Sequence, residues 1–286
     1  MNILYIGSSG ALSLVPFKKL LDSKYKIAAV GVYAPIFLDK KIIALENESL
    51  SLVASQNDIP VVDLSQSIEN IIQQCRSYFI DMILTSCYGK RLADQVIRFP
   101  TLGCYNLHPS LLPCYRGPEP IFWQMKDAAE MGVTWHHVVH DFDAGDVCMQ
   151  KKVLLDEGAS YHVINQQLAE VGAELMLDFL SECSSGTQTS IGQDSKLASY
   201  HCYPQQTDFS LNTEWSAQHA YNFICASKAF GHRYHCSVDG QSYNLVEAID
   251  YDNNANLKYV ETQGDKLYIP FKEGVLIARY TDKIEP

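Results

Sequence analysis

The sequence predicts an α/β protein with a Rossmann-like, mostly parallel sheet, followed by a small β-rich domain. Short apolar runs alternate with amphipathic segments through the first half, which is the pattern of βαβ units. Several short strand patterns separated by turn dipeptides fill the last third. The 286 residues are enough for two domains.

Five apolar runs are the expected strands of the sheet: NILYI at 2–6, IAAVGVY at 27–33, IPVV at 59–62, FIDMILT at 79–85 and GCYNL at 103–107. Helical spacing is present between them after Val15, around residues 50–54 and at 68–75. Another helix is expected to begin near Pro118 or Pro120, because proline suits a first helical turn. GVTWHHVVH and DVCMQKKVLL then predict two strands around the turn DFDAG.

A core helix is predicted at 160–182, where apolar residues recur on one helical face. The stretch that follows is rich in Ser, Gly and Thr, as is typical of a linker. We therefore predict a first domain at 1–183, a linker at 184–204 and a β-rich C-terminal domain at 205–286. The last contains a helix at about 214–229 and five strands, which suit an OB-like barrel.

Composition and charge exclude several classes of protein. The fractions of hydrophobic residues, 47%, and of charged residues, 19%, are those of an ordered globular chain. A formal net charge of −11 disfavours a nucleic-acid partner. No apolar run approaches the roughly 18 residues of a membrane span. Nine cysteines without a CxxC pair indicate reduced thiols, no metal site and a cytoplasmic location, and the N-terminus does not resemble a signal peptide.

The stretch NLHPSLLPCYRG, residues 106–117, carries the first candidate chemistry. It follows a predicted strand, and open α/β sheets place their ligand crevices at the carboxyl ends of strands. Asn106 and His108 are two residues apart, so on an extended chain their side chains point the same way. An amide donor and an imidazole could therefore converge on one small group.

The second polar cluster is HDFDAGD, which places Asp141, Asp143 and Asp146 in a turn after a strand. If that strand lies beside the first, one of these carboxylates could orient His108 and favour its imidazolium form. A donor, a titratable acid or base and a carboxylate are the groups that acyl transfer requires.

Both clusters resemble motifs of the folate-dependent formyltransferases, the group that contains the methionyl-tRNA, glycinamide ribonucleotide and amino-sugar formyltransferases. These enzymes share Asn-x-His-x-Ser-Leu-Leu-Pro and a later Asp-x-Gly, and both motifs stand here in that order. The resemblance begins at MNILYIGSSG and continues, more faintly, into the C-terminal domain. It implies that 1–183 is the formyltransferase catalytic domain.

The resemblance also implies roles for individual residues. The catalytic residues would be Asn106, His108 and Asp143. The formyl donor, N10-formyltetrahydrofolate, would bind along a set of loop residues: Tyr88, Gly89, Lys90, Leu92, Val138, Val139, His140 and Asp141. The acceptor amine would lie near Ser8, Ser9, Gly10, Ser110, Tyr115 and Arg116.

Arg116 and three histidines have alternative interpretations. Arg116 could equally be structural and pair with a group near its loop. His136, His137 and His140 lack cysteines at ligand spacing, so we expect ordinary polar positions and no metal, with a supporting role for His136 left open.

The acceptor is the least determined part of the prediction. The tRNA enzymes carry a basic insertion after the second strand, whereas YAPIFLDKKIIALENESL has two lysines against three acidic residues. This disfavours tRNA as the acceptor. The runs GVTWH and DAGDV are similar to those of amino-sugar formyltransferases, so we expect the acceptor to be a nucleotide-linked amino sugar. The alternatives are methionyl-tRNA, a carrier-bound amino acid, a formyltetrahydrofolate hydrolase, or a non-catalytic folate- or sugar-binding protein. A homodimer is compatible with each.

Overall fold

The computed structural model describes residues 1–33 and 49–284, with side chains described up to residue 281. Contacts divide the chain into two compact units. Unit 1 comprises Met1–Pro120, Glu130–Leu154 and Asn165–His201. Unit 2 comprises Ile121–Ala129, Leu155–Ile164 and Cys202–Pro286.

Unit 1 contains a seven-stranded sheet formed by β1 (Asn2–Ile6), β2 (Lys26–Val32), β3 (Val61–Asp63), β4 (Met82–Ser86), β5 (Cys104–His108), β6 (Met131–His137) and β7 (Val147–Val153). The strand order is β3-β2-β1-β4-β5-β6-β7. The first five strands pair in parallel, whereas β6 and β7 are antiparallel. The mostly parallel sheet predicted from the sequence is confirmed.

The helices of the first two thirds are α1 (Ala11–Leu21), α2 (Leu50–Gln56), α3 (Ile68–Ser77), α4 (Asp94–Ile97), α5 (Pro120–Lys126) and α6 (Tyr161–Ser185). Ser49 and Ser67 cap α2 and α3 by accepting hydrogen bonds from the backbone N–H groups of Leu52 and Asn70. The short α4 was not predicted.

The central strands are mostly apolar because both of their faces are covered. Ile3, Leu4, Tyr5 and Ile6 of β1 are fully buried, and every residue of β4 is buried. The polar residues that end β4 and β5 are therefore exceptions to the apolar pattern, and they lie at the carboxyl edge of the sheet, where crevices form.

Unit 2 contains a six-stranded sheet and helix α7 (Ala217–Ser227). Its strands are β8 (Ser210–Leu211), β9 (Tyr234–Val238), β10 (Gln241–Asp252), β11 (Glu261–Gln263), β12 (Lys266–Pro270) and β13 (Val275–Ile284). The order is β11-β12-β13-β10-β9-β8, antiparallel except for the β8–β9 pair. The five predicted strands are present, the two-residue β8 was not predicted, and closure into an OB-like barrel stays a prediction.

The two units differ from the predicted domain boundaries in three places, one of which is that Leu155–Ile164 belongs to unit 2. Helix α5 belongs mostly to unit 2, where the Phe122 ring lies 5.0 Å from Phe209 and 5.4 Å from Phe223. Helix α6 continues to Ser185, and the predicted linker residues up to His201 belong to unit 1. The apolar residues of a seven-residue helix do not indicate which core they enter, and loop composition does not reveal backbone pairing. Across the described part of the chain, no helix has both the length and the apolarity that crossing a membrane requires.

Candidate active site

Asn106 lies in the middle of β5 and is held from both sides by neighbouring strands. Its register partners are Thr85 on β4 and His136 on β6. The Thr85 hydroxyl donates to Asn106 Oδ1 (2.6 Å), and Asn106 Nδ2 donates to His136 Nε2 (3.2 Å). These two bonds fix the amide orientation and leave its second N–H group available for another acceptor.

His136 takes part in this arrangement as a neutral ring. Its Nδ1–H donates to the carbonyl of His137 (2.8 Å), so Nε2 is the unprotonated nitrogen that accepts from Asn106. Burial lowers the pKa of His136 to about 4, and this effect exceeds the opposing influence of Asp143. The supporting role left open for His136 is therefore that of an acceptor that orients Asn106.

His108 is buried, with acceptors beside both ring nitrogens. Its Nε2–H donates to the carbonyl of Tyr115 (2.8 Å), and Nδ1 lies 3.6 Å from Asp143 Oδ1, which is an ion-pair distance. A neutral ring carries one proton and satisfies one of these acceptors, whereas the imidazolium satisfies both. The Asp143 carboxylate is thus the charged group beside the His108 ring.

Asp143 is the aspartate of the DFDAGD turn that approaches His108; Asp141 and Asp146 are exposed. Its Oδ2 accepts from the Gly117 N–H (2.9 Å), and its Oδ1 also lies 3.7 Å from His136 Nε2. Asp143 adopts the left-handed conformation with φ 54°, which is uncommon outside glycine. The structure thus brings together the three residues predicted as catalytic.

Asn106, His136 and Asp143 line a cleft whose other walls are the predicted donor-binding loops. Its lining includes seven of the eight residues predicted for the donor: Tyr88, Lys90, Leu92, Val138, Val139, His140 and Asp141. The eighth, Gly89, is not part of the lining, and a Cβ at this position would meet no atom within 4 Å. Arg91 and Phe142, which lie within the same predicted loops, also line the cleft, as does Ile97, which the sequence did not indicate.

A second, more open cavity of about 640 Å³ adjoins this cleft. The two cavities share Arg91, Leu92 and His140, and the second also contains Arg98 and Asp94. His140 pairs with Asp94 (3.2 Å), and the described residues contain no cluster of side chains that could hold a metal ion.

Ser110, predicted to contact the acceptor, is fully buried. Its hydroxyl donates to the Cys114 carbonyl (2.7 Å), and its own carbonyl accepts from the Thr134 hydroxyl (2.6 Å). These bonds engage Ser110 within the loop after β5, and its contact with an acceptor stays a prediction.

Tyr115 and Arg116 are also engaged within unit 1. The Tyr115 ring stacks on His201 with 5.3 Å between centroids. Arg116 donates from Nε (3.2 Å) and Nη2 (2.6 Å) to Gln193 Oε1. This geometry favours the structural interpretation of Arg116 over substrate binding.

Ser8, Ser9 and Gly10 follow β1 at the carboxyl edge of the sheet. The Ser8 hydroxyl donates to the carbonyl of Cys87 (2.9 Å), which directly precedes Tyr88 of the cleft. Ser8 is exposed, and Gly10 has φ 89° at the start of α1. Their contact with an acceptor stays a prediction.

The fold and the site together define an α/β enzyme suited to acyl transfer, and comparison with known proteins specifies the group transferred. Residues 35–180 match the family model described as formyl transferase, and the chain belongs to this family of formyl-transferring enzymes. The methionyl-tRNA formyltransferase of Thermotoga maritima is 30% identical over 235 residues, which cover 80% of this chain and 74% of the relative. The resemblance stated from the motifs is confirmed.

Solved structures show the same fold along the whole chain. An N-formyltransferase from Helicobacter canadensis, determined with folinic acid and dTDP-3-aminofucose, aligns with a TM-score of 0.71 at 17% identity and covers 98% of each chain. A methionyl-tRNA formyltransferase from Clostridium thermocellum aligns with a TM-score of 0.58 at 12% identity over 100% of each chain. Because enzymes named for two acceptors share this fold, the comparisons do not single out the acceptor.

Proposed function

We propose that the protein transfers the formyl group of N10-formyltetrahydrofolate to the primary amine of a small acceptor, a nucleotide-linked amino sugar. The observation that carries the proposal is that Asn106 and Asp143 line one cleft and that Asp143 Oδ1 lies at ion-pair distance, 3.6 Å, from His108 Nδ1. Asn106, His108 and Asp143 are the catalytic residues of this proposal.

In this mechanism, the acceptor amine attacks the formyl carbon and the carbonyl oxygen becomes an oxyanion. The free N–H of Asn106 donates to that oxygen, and a protonated His108, with Asp143 beside its Nδ1, supplies a compensating positive charge. The bond from the formyl carbon to N10 then breaks, N10 takes the proton that the amine loses, and the products are a formamide and tetrahydrofolate. Loss of one such donor typically lowers the rate by about 10²- to 10³-fold.

The cleft suits the formyl donor. A pterin is flat and rich in donors and acceptors, and the walls here combine apolar side chains with irregular loop backbone. Leu92 is buried and Val138 packs against the core, so both offer fixed apolar surfaces. The adjoining cavity, with Arg91 and Arg98 against Asp94, has a basic excess that suits the glutamate carboxylates of a folate.

A small acceptor is supported by charge. Both halves of the chain have an excess of acidic residues, within a total of −11, and an acidic surface repels the phosphate backbone of tRNA. The segment after the second strand, with two lysines against three acidic residues, belongs to the same argument, but its residues 34–48 lie outside the described part of the chain.

Methionyl-tRNA is the second candidate, and the observation that favours it is the name of the curated relatives, including the 30% identical enzyme of Thermotoga maritima. The carrier-bound amino acid, the hydrolase and the non-catalytic binding protein are outcomes of the same test.

The test is to incubate the protein with N10-formyltetrahydrofolate and a panel of amines, and to detect products by mass spectrometry. The panel contains amino-sugar nucleotides, methionyl-tRNA and carrier-bound amino acids. We expect a mass gain of one formyl group on an amino-sugar nucleotide. Formylation of methionyl-tRNA or of a carrier-bound amino acid alone would contradict the proposed acceptor, formate release without any amine would indicate a hydrolase, and absence of turnover would contradict an enzymatic role.

A further inference from the structure

The segment that follows α6 pairs with two separate loops of the site. Residues Ile191 and Val147 exchange both backbone hydrogen bonds (2.9 Å each) at the end of the Asp143 turn. Further along, the Arg116 N–H donates to the Ser199 carbonyl (3.0 Å). Residues 187–201, which we name the return segment, therefore contact both loops that approach the His108 ring.

Gln193 lies between these two attachment points and uses both ends of its amide. Its Nε2 donates to the carbonyls of Asp143 (2.8 Å) and Gly145 (2.6 Å). Its Oε1 accepts from Arg116 Nε and Nη2. This pattern requires a side chain whose nitrogen donates two hydrogen bonds and whose oxygen accepts. Only the amides of Asn and Gln provide both groups.

The backbone that Gln193 holds needs external support. Asp143 has φ 54°, a conformation that L-residues adopt only where surrounding contacts stabilise it. Gly145 is packed so closely that a Cβ would lie 2.0 Å from the His137 carbonyl. The donors of Gln193 bind carbonyls on both sides of this strained turn and so fix where the Asp143 carboxylate points.

The second end of the amide extends this support to the other side of His108. Arg116 directly follows Tyr115, whose carbonyl accepts from His108 Nε2. The next residue, Gly117, donates its N–H to Asp143 Oδ2. One side chain of the return segment is thus linked to the acceptors beside both ring nitrogens of His108.

We propose that Gln193 is a positioning residue for the transfer reaction, holding the Asp143 turn so that the carboxylate stays at ion-pair distance from His108. This inference rests on the proposed function. Gln193 does not touch the reacting atoms; it acts through Asp143.

Gln193→Glu is the informative variant because it keeps the acceptor for Arg116 but removes the donors to the Asp143 and Gly145 carbonyls. Displacement of a catalytic group by about 1 Å can lower a rate about 10²-fold. We expect kcat for formyl transfer to fall about 10- to 100-fold, while KM for the donor changes less than about threefold. Gln188→Glu is the matched control, with the same charge change in the same segment, and should retain wild-type kcat.

A double-mutant cycle with Asp143→Asn separates positioning from a general structural role. If Gln193 acts through Asp143, Gln193→Glu should lower the rate less than about threefold further in the Asp143→Asn background, because the effects of two residues in one network do not add. Wild-type kcat in Gln193→Glu, or a full additional loss in the double mutant, would overturn the inference.

Two further measurements keep the outcome unambiguous. If Gln193→Glu does not fold, Gln193→Met, which lacks the donors and adds no charge, is judged by the same criteria. If the wild-type protein formylates no amine, the proposed function fails; if the wild type is active and Gln193→Glu matches Gln188→Glu, only the positioning role fails.

Discussion

His136→Gln replaces a buried neutral imidazole with a side chain that does not titrate, and this should change how stability depends on pH. The pKa of His136 is lowered from 6.5 to about 4, chiefly by burial. Between these two values the unfolded chain binds a proton that the folded protein does not. Because stability rises with pH wherever the unfolded state holds more protons, this contribution is complete above about pH 6.5 and is lost as the pH falls towards 4.

The magnitude follows from the two pKa values. At about 1.4 kcal/mol per pH unit, a pKa lowered from 6.5 to about 4 corresponds to ~3 kcal/mol of unfolding free energy. His136→Gln removes this dependence. At neutral pH it should cost only about 1 kcal/mol, the value of the hydrogen bond that His136 Nδ1 gives to the His137 carbonyl.

The assay is urea unfolding of both proteins at several pH values between about 7 and about 4.5. Carboxylates and His137 titrate in both proteins, so the difference between the two unfolding free energies isolates His136. We expect that difference to fall by about 2–3 kcal/mol over this range, so that the variant becomes the more stable protein at low pH. Parallel curves, within about 0.5 kcal/mol, would refute the argument that burial keeps His136 neutral.

The remaining predictions concern the residues around the reacting group. His108→Ala and Asp143→Ala should each lower turnover by at least about 10²-fold with the melting temperature preserved, and near-normal turnover in a formyl-transfer assay would contradict the mechanism. Thr85→Val removes the donor to Asn106 Oδ1 and should lower kcat about tenfold, whereas Thr85→Ser should retain activity; equal rates would show that the amide needs no such support. Gly117→Ala should destabilise by about 1–3 kcal/mol in urea, since φ is 114° and a Cβ would lie 2.1 Å from a carbonyl of the return segment.

Much of unit 1 could be predicted because its signals are local. Continuous apolar runs such as residues 2–6 and 82–86 indicate strands covered on both faces, and the helices between them have their own periodicity. Helix α5 could not be assigned to a unit in this way. Phe122 packs on Phe209 and Phe223, and a contact between residues that far apart in sequence leaves no periodic signal.

The site was predictable to the extent that it depends on strand geometry. Asn106 and His108 share a face because they are two residues apart on β5. Three aspartates in one turn were equivalent by spacing, and family resemblance selected Asp143. Gln193 was missed because its partners include backbone carbonyls, so neither composition nor spacing indicates its role.

The direction of β6 explains why the site depends on a turn. β6 is antiparallel to β5, so His137 pairs with Tyr105 and the chain leaves the sheet away from His108. Residues 138–146 must then return over β5 to bring Asp143 to His108. Sheet hydrogen bonds fix Asn106 but do not fix Asp143, whose position rests on side-chain and backbone contacts of the turn. Substitutions that loosen this turn should therefore reduce catalysis with little loss of stability.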